Sequence, residues 1–247
     1  MVQSIHAVLR NALESAVREE VVPRNVAKLV RVTAPKYAVN RGLSLVQARR
    51  VLRAAKTGRL YVLYVLALCL GLRRGELLGL RWGDIDLDAG ALEVVQTLQR
   101  VGGALRFVRP KTADSARTIP LPPLCIDALR EHRRQQFTER ADAWPNRQEN
   151  GLVFPTRIGT PMEPDNLRRS WGRIRLAAGL TGTRFHDMRH TCVSLLLHLG
   201  VAPDMVRDIV GHSDIEVTIT IYAHTALDES VRHSPSWATR SRSPRSY

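Results

Sequence analysis

The sequence predicts a mainly α-helical protein with one small antiparallel β-sheet set into its middle. Three observations predict it. Apolar residues recur at helical spacing over most of the chain. Between residues 91 and 121 that rhythm gives way to short β-prone runs, ALEVVQTL, ALRFVR and ARTIPLP, broken by Gly102-Gly103 and by Thr112–Ser115. The chain of 247 residues, 44% of them hydrophobic, is long enough for one substantial core with a smaller appendage.

In chain order, residues 4–20 and 25–31 carry helical periodicity. Residues 33–43, with Pro35, Asn40 and Gly42, lose it and read as a linker. Ser44 is a natural N-cap for a helix reaching about Lys56. Residues 60–70, LYVLYVLALCL, are apolar on every face and end at Gly71; the run is too short to span a bilayer and belongs in a core. Arg73 then stands in the turn before the next helix. After the β-prone region, helical patterns resume at 123–140, 164–178, 187–199 and 203–210, and a last short helix is expected over Ile215–Tyr222. The end, SPSWATRSRSPRSY, is rich in Ser, Arg and Pro and reads as a disordered basic tail.

The charge is more telling than the size. Lys and Arg number 37 against 23 Asp and Glu, a formal +14, and the pI is near 10.8. Such an excess favours polyanions, most commonly nucleic acid. An anionic membrane surface competes as an explanation, but there is no 18-residue apolar run and no signal-like N-terminus. Cys69, Cys125 and Cys192 are far apart, odd in number and set among apolar residues, so reduced buried thiols and a cytoplasmic location are expected.

Four stretches interrupt the apolar pattern with polar residues that invite chemistry. GLRRGELLGLRW (71–82) puts Arg73 three residues before Glu76, a spacing that also suits an ordinary surface ion pair. RPKTADSARTIPLP (109–122) puts Lys111 at an expected hairpin turn, where a lysine is usually a solvated charge. FHDMRHTCVSLLL (185–197) opens a greasy helix with His186, Asp187, Arg189 and His190. His186 and Arg189 share a helix face, while Asp187 as a cap and His190 as a buried, hydrogen-bonded residue are the plainer readings. Zinc on His186 and His190 is disfavoured, because Asp, Met and Arg intervene and no HExxH frame exists. VGHSDIEVTITIYAH (210–224) sets His212 after Gly211 and Tyr222 ten residues on; a lone tyrosine there is most often a packing residue.

Taken together, two arginines, two histidines, a lysine and a tyrosine match the needs of phosphodiester cleavage without a metal. Two guanidiniums can clamp the non-bridging oxygens as negative charge builds in the transition state. A phenol with a pKa near ~10 needs a base or a positive field to attack. An ammonium can protonate the departing 5′ oxygen.

In order, spacing and flanking residues, GLRRGE, PKT before a strand, HDMRHT, and GHS with a tyrosine ten residues on together resemble the tyrosine recombinases of the phage-integrase family. The resemblance spans about residues 44–224, and more faintly 4–36. It implies the DNA breaking-rejoining catalytic fold over residues 44–230. It also implies a remnant of the helical, SAM-like core-binding domain at 1–36, a linker at 37–43 and a basic tail at 231–247. Only the last one or two helices of that N-terminal domain are expected, with no arm-binding domain.

Carried over, the resemblance implies Arg73 and Arg189 as the phosphate clamp and Lys111 as the general acid. It implies His186 and His212 in proton transfer and phosphate binding, and Tyr222 as the nucleophile that forms a 3′-phosphotyrosine and frees a 5′-hydroxyl. Glu76 and His190 match supporting positions. The implied partner is double-stranded DNA, met by a tetramer on two duplexes during integration or excision of a phage or other mobile element. No metal, cofactor or ATP is implied, and no membrane. The rival class is a truncated DNA-binding remnant without turnover, which would have no chemical need for all six residues. A topoisomerase using the same tyrosine chemistry stands behind both, because the motifs read as integrase-like.

Overall fold

The computed structural model describes residues 2–32, 42–109, 116–142 and 148–211. The chain divides into two compact units, Met1–Val39 and Asn40–Tyr247. In the first, α1 (Val2–Arg18) packs against a 3-10 turn, Val26–Leu29, where a short helix is expected from the sequence. Asn25 caps that turn by accepting from Ala27 N and donates to Arg10 O and Glu14, both at 2.8 Å.

The second unit is mainly helical with antiparallel sheet, as its sequence implies, and its helices begin and end where local chemistry tells them to. Helix α2 (Leu45–Ala55) opens with a capping box: Ser44 Oγ accepts from Gln47 N, and Gln47 Oε1 accepts from Ser44 N. Helix α3 (Tyr61–Cys69) has no solvent face along Val62–Leu68, each of which is buried. It is the hub on which α2, α5 (Pro123–Asp142) and α7 (Asp187–His198) pack. Its Tyr64 hydroxyl bonds Ser170 Oγ at 2.9 Å, and its ring lies among Trp171 and Phe185. Helix α4 (Arg74–Gly79) follows α3 after a left-handed Gly71, φ +61°. Helix α6 (Pro164–Ala177) covers α2, and α8 (Pro203–Val210) closes on α7 through Val193, Leu197, Val206 and Val210. Gly42 and Leu43, which the sequence puts in a linker, already pack on α7: Leu43 N donates to Thr191 Oγ1 at 2.7 Å, and a Cβ on Gly42 would meet Thr191 N at 2.4 Å.

The antiparallel sheet comes in two pieces rather than one. Strand β2 (Ala91–Val94) lies between β1 (Ile85–Asp86) and β5 (Arg117–Pro120), pairing Leu92 with Ile119. Strands β3 (Thr97–Val101) and β4 (Ala104–Val108) form a separate hairpin around Gly102-Gly103, both with positive φ as a two-residue primed turn requires. The run ALEVVQTL, read as one strand, breaks at Val95-Gln96. Gln96 Nε2 donates to Gly79 O at 2.7 Å, and β3 lies directly on the glycine face of α4. A Cβ on Gly75 would come within 3.0 Å of Leu98 O, and one on Gly79 within 3.0 Å of Leu98 N. The bare face of α4 therefore draws β3 away from β2.

All three cysteines are free; Cys125 and Cys192 are buried and Cys69 partly so. No described helix is long and apolar enough to cross a membrane. The Lys111 turn, the helix expected over Ile215–Tyr222 and the 231–247 tail lie outside the described residues.

Candidate functional site

The polar residues of GLRRGE and HDMRH meet where α3, α4, α7 and α8 bring their ends together. Arg73 is the N-cap of α4 and is held twice by Glu76: its main-chain N donates to Glu76 Oε2 at 2.8 Å and its Nη1 to Oε1 at 2.9 Å. Its Nη2 donates to Gly211 O at 2.5 Å, and its side chain stays 43% exposed. Arg189, one turn into α7, is only 3% exposed. Its Nη1 donates to Gly71 O at 2.7 Å and its Nη2 to the same Gly211 O at 3.1 Å. Two arginines distant in sequence thus converge on one carbonyl oxygen.

Both acceptors sit just past helix ends, Gly71 after α3 and Gly211 after α8, where unpaired carbonyls carry partial negative charge. Glycine is needed at both. Each has positive φ, and a Cβ would meet Val210 Cγ1 at 2.9 Å from Gly71 and Arg117 Cζ at 2.8 Å from Gly211. Gly211→Ala is expected to lose at least about 1 kcal/mol of stability from the left-handed backbone alone, and more as Arg117 is pushed aside. Urea denaturation measures it; an unchanged midpoint would show that the turn relaxes freely.

Glu76 is not half of a surface pair. Its side chain is 4% exposed and faces a second guanidinium, Arg117, whose Nη1 and Nη2 donate to the two carboxylate oxygens at 3.3 and 3.1 Å. Burial alone would raise the Glu76 pKa, but Arg117 and then Arg73 outweigh it and hold the carboxyl below its ordinary value. Arg117 also donates from Nε to Ile209 O at 3.0 Å. The sequence reading missed Arg117. The signal was there: in ARTIP it is in phase with Ile119, which is wholly buried, so β5 turns both to the inner face.

Two guanidiniums, Arg73 and Arg117, therefore bond one carboxylate, and a third, Arg189, feels its charge. Burial, and then the charges of Arg73 and Arg117, push Arg189 down to about 9, which still leaves it protonated at neutral pH. The cluster holds an excess of positive charge that an anion would relieve. A cavity of about 650 Å³ opens beside it, lined by Arg73, Glu76, Arg100, Glu163 and Asp165 among others. A larger one of about 1120 Å³, between the β1–β2 edge and α5, contains none of these residues, and its Asp88 and Arg130 pair with each other.

The two histidines stand at the mouth of α7. His186 is exposed at the surface yet partly enclosed by its surroundings, and is the residue before the first helical turn, anchored by Phe185 in the aromatic cluster with Tyr64 and Trp171. Its ring meets His190 edge-on at 5.1 Å. Among the described residues, Nδ1 of His190 is buried and finds no hydrogen-bond partner, where the sequence suggests a satisfied ring. Burial, with help from neighbouring positive charge, lowers both imidazole pKa values, so both rings are neutral at pH 7 and able to take a proton. Asp187 ties the start of α7 to the residues before it: its carboxylate accepts from Arg184 N at 2.7 Å, while His186 is the N-cap. Among the described residues no group of three or more His, Cys, Asp or Glu gathers as a metal set would. Of the eight residues singled out from sequence, Arg73, Glu76, His186, Arg189 and His190 are described, while Lys111, His212 and Tyr222 lie outside the described residues.

Comparison with known proteins points one way. The model of the phage integrase family matches residues 42–229. A protein called tyrosine recombinase XerC-like, from Caldanaerobacter subterraneus subsp. tengcongensis, is 36% identical over 190 residues, covering 72% of this chain and 49% of that one. The integrase of Streptomyces ambofaciens is 32% identical over 228 residues, 89% of this chain and 58% of its own. The chain thus spans about half the length of these relatives. Among solved structures, the Tn1549 transposon integrase in complex with transposon right end DNA superposes with a TM-score of 0.73 at 23% identity, covering 95% of this chain and 79% of that one. XerA recombinase gives 0.62 at 18%, covering 96% and 78%. At these identities the likeness is one of fold.

Proposed function

Because the chain belongs to the phage integrase family, we propose that it carries the strand-transfer chemistry of a site-specific DNA recombinase. It cleaves and rejoins double-stranded DNA through a 3′-phosphotyrosine, in the integration or excision of a phage or other mobile element. The observation that carries this reading is the convergence of Arg73 and Arg189 on Gly211 O. Guanidinium donors gathered at one oxygen, within a surplus of positive charge, suit the non-bridging oxygens of a phosphodiester, whose charge grows in the transition state.

In the proposed step the Tyr222 oxygen forms a bond to phosphorus while the bond from phosphorus to the 5′ oxygen breaks. The phenolic proton passes to a neutral imidazole, His186, and Lys111 supplies a proton to the leaving 5′ oxygen. Arg73 and Arg189 hold the phosphoryl oxygens with His212, which is peptide-bonded to Gly211. Glu76 and His190 support. Reversal with a new 5′-hydroxyl rejoins the strand, and because the phosphotyrosine keeps the bond energy, ATP is not consumed. The rest of the proposal is a homotetramer acting on two duplexes in the cytoplasm, with residues 1–36 as part of a core-binding domain, 44–230 as the catalytic domain and 231–247 as a basic tail. The related integrase solved with transposon-end DNA supports the choice of substrate.

The test needs no known target site. A pool of nicked duplexes with randomised sequence, in which the freed 5′ fragment diffuses away, is incubated with the full chain at low salt. Expected is a protein–DNA adduct that survives denaturation, and whose recovered DNA converges on one sequence. Protein that binds the pool but leaves nothing covalently attached would overturn the enzyme reading in favour of a DNA-binding remnant.

A further inference from the structure

We propose that Arg117 is a positioning residue for the arginine pair, holding Glu76 and the end of α8 so that Arg73 and Arg189 meet at one point. Arg117 itself is poorly placed to bind a ligand. Its side chain is 8% exposed, and all three of its nitrogens donate inward: two to Glu76 and one to Ile209 O. Arg73, at 43% exposed, still faces solvent.

The argument is one of competition for a single carboxylate. A lone arginine beside a carboxylate favours the two-pronged pairing, with both terminal nitrogens on the two oxygens. Here Arg117 takes both Glu76 oxygens, at 3.3 and 3.1 Å. Arg73 is left with one side-chain bond, Nη1 to Oε1, so its Nη2 turns to Gly211 O. Arg117 acts at the other end of the arrangement too. Its Nε on Ile209 O ties β5 to the last turn of α8, two residues before Gly211, and the guanidinium lies against the Gly211 backbone. Arg189 then finds Gly211 O in the same place. One side chain thus sets the angle of Arg73 and the position of the turn that both arginines touch. Lysine cannot replace it: one ammonium has the charge, but not the planar fork that spans two oxygens and a third acceptor.

The effect on strand cleavage rests on the function proposed above; the effect on anion binding does not. The experiment therefore has two arms, both with the full chain and Arg117→Lys, and with Arg117→Gln as a second variant should the first fold poorly. In the first, the thermal midpoint is followed with millimolar sodium sulfate against sodium chloride of equal ionic strength. Wild type is expected to gain stability with sulfate, and Arg117→Lys to need at least fivefold more for the same gain. In the second, single-turnover cleavage is measured on the DNA recovered from the nicked pool. The rate at saturating DNA is expected to fall about 10- to 100-fold, as misplacement of binding groups by an ångström does, with the half-saturating DNA concentration changed less than threefold. A residue that only props up the fold would lower the midpoint and leave both the sulfate response and the saturated rate of the folded fraction unchanged, and that outcome overturns the proposal. If wild type makes no adduct, the recombinase reading fails and the sulfate arm alone decides: a response equal in wild type and variant rejects Arg117 as a positioning residue.

Discussion

Tyr222→Phe is expected to leave no covalent protein–DNA adduct at all while retaining DNA binding. The substitution removes one oxygen and keeps the ring, so folding and association have little reason to change. What disappears is the only atom of that side chain able to bond to phosphorus. A phenol is almost wholly protonated near neutrality, since its pKa is near ~10, so its attack also depends on a base. In the proposed step His186 is that base: burial first, then the neighbouring His190 and Arg189, hold its pKa below the ordinary imidazole value. Cleavage by wild type is therefore expected to hold a plateau at neutral pH and to decline only as pH falls through that lowered value, where the ring becomes charged. A denaturing gel of the wild type and variant on the nicked pool, run over a pH series, measures both. An adduct from Tyr222→Phe would mean that a different nucleophile attacks, and the assignment of Tyr222 would be withdrawn.

Glu76→Ala is expected to cost about 3–5 kcal/mol, the usual result of breaking a buried ion pair by removing one partner. Arg117 and Arg189, 8% and 3% exposed, would remain as unbalanced cations in the interior, with Arg73 beside them. Glu76→Gln should fall between, keeping an acceptor for the guanidiniums but not the charge. The pH dependence follows from the lowered carboxyl pKa. Because the folded value lies below the unfolded one, the stabilisation is complete above about 4.3, the ordinary glutamate value, and fades as pH falls through the folded value. Wild type and Glu76→Ala should thus differ fully at pH 7 and converge in strong acid. Urea denaturation at pH 7 and at pH 3 checks this; a difference under about 1 kcal/mol at pH 7 would place Glu76 among ordinary surface pairs after all.

Most of the helical architecture was legible because its cues are local. Ser44 announces α2 through its capping box, and the uninterrupted apolar run of 60–70 announces a helix with no wet face. Pro164 and Pro203 open α6 and α8 as first-turn prolines do. The break of ALEVVQTL into two strands was not legible, since it depends on β3 finding the bare glycine face of α4, a contact between separate elements. The same divide runs through the site. Arg73, Glu76, His186 and Arg189 stood out by motif, but Arg73 with Glu76 looked like any exposed pair until the fold buried the carboxylate. Arg117 went unnoticed because nothing next to it in sequence explains an arginine on an inward strand face; its partners, Glu76 and Ile209, are supplied by α4 and α8.

By itself, then, the sequence determined the kind of fold, the excess of positive charge suited to a polyanion, and the identity and order of the motif residues, because periodicity, caps and composition can be read from a few neighbouring positions or a simple count. Only the tertiary structure decided that two helix ends, after α3 and α8, would present Gly71 O and Gly211 O to the arginines. It alone decided that one buried carboxylate would hold two guanidiniums, and that Arg117 would be the second. Burial and charge balance are sums over every element packed around a point, and no short stretch of chain contains that sum.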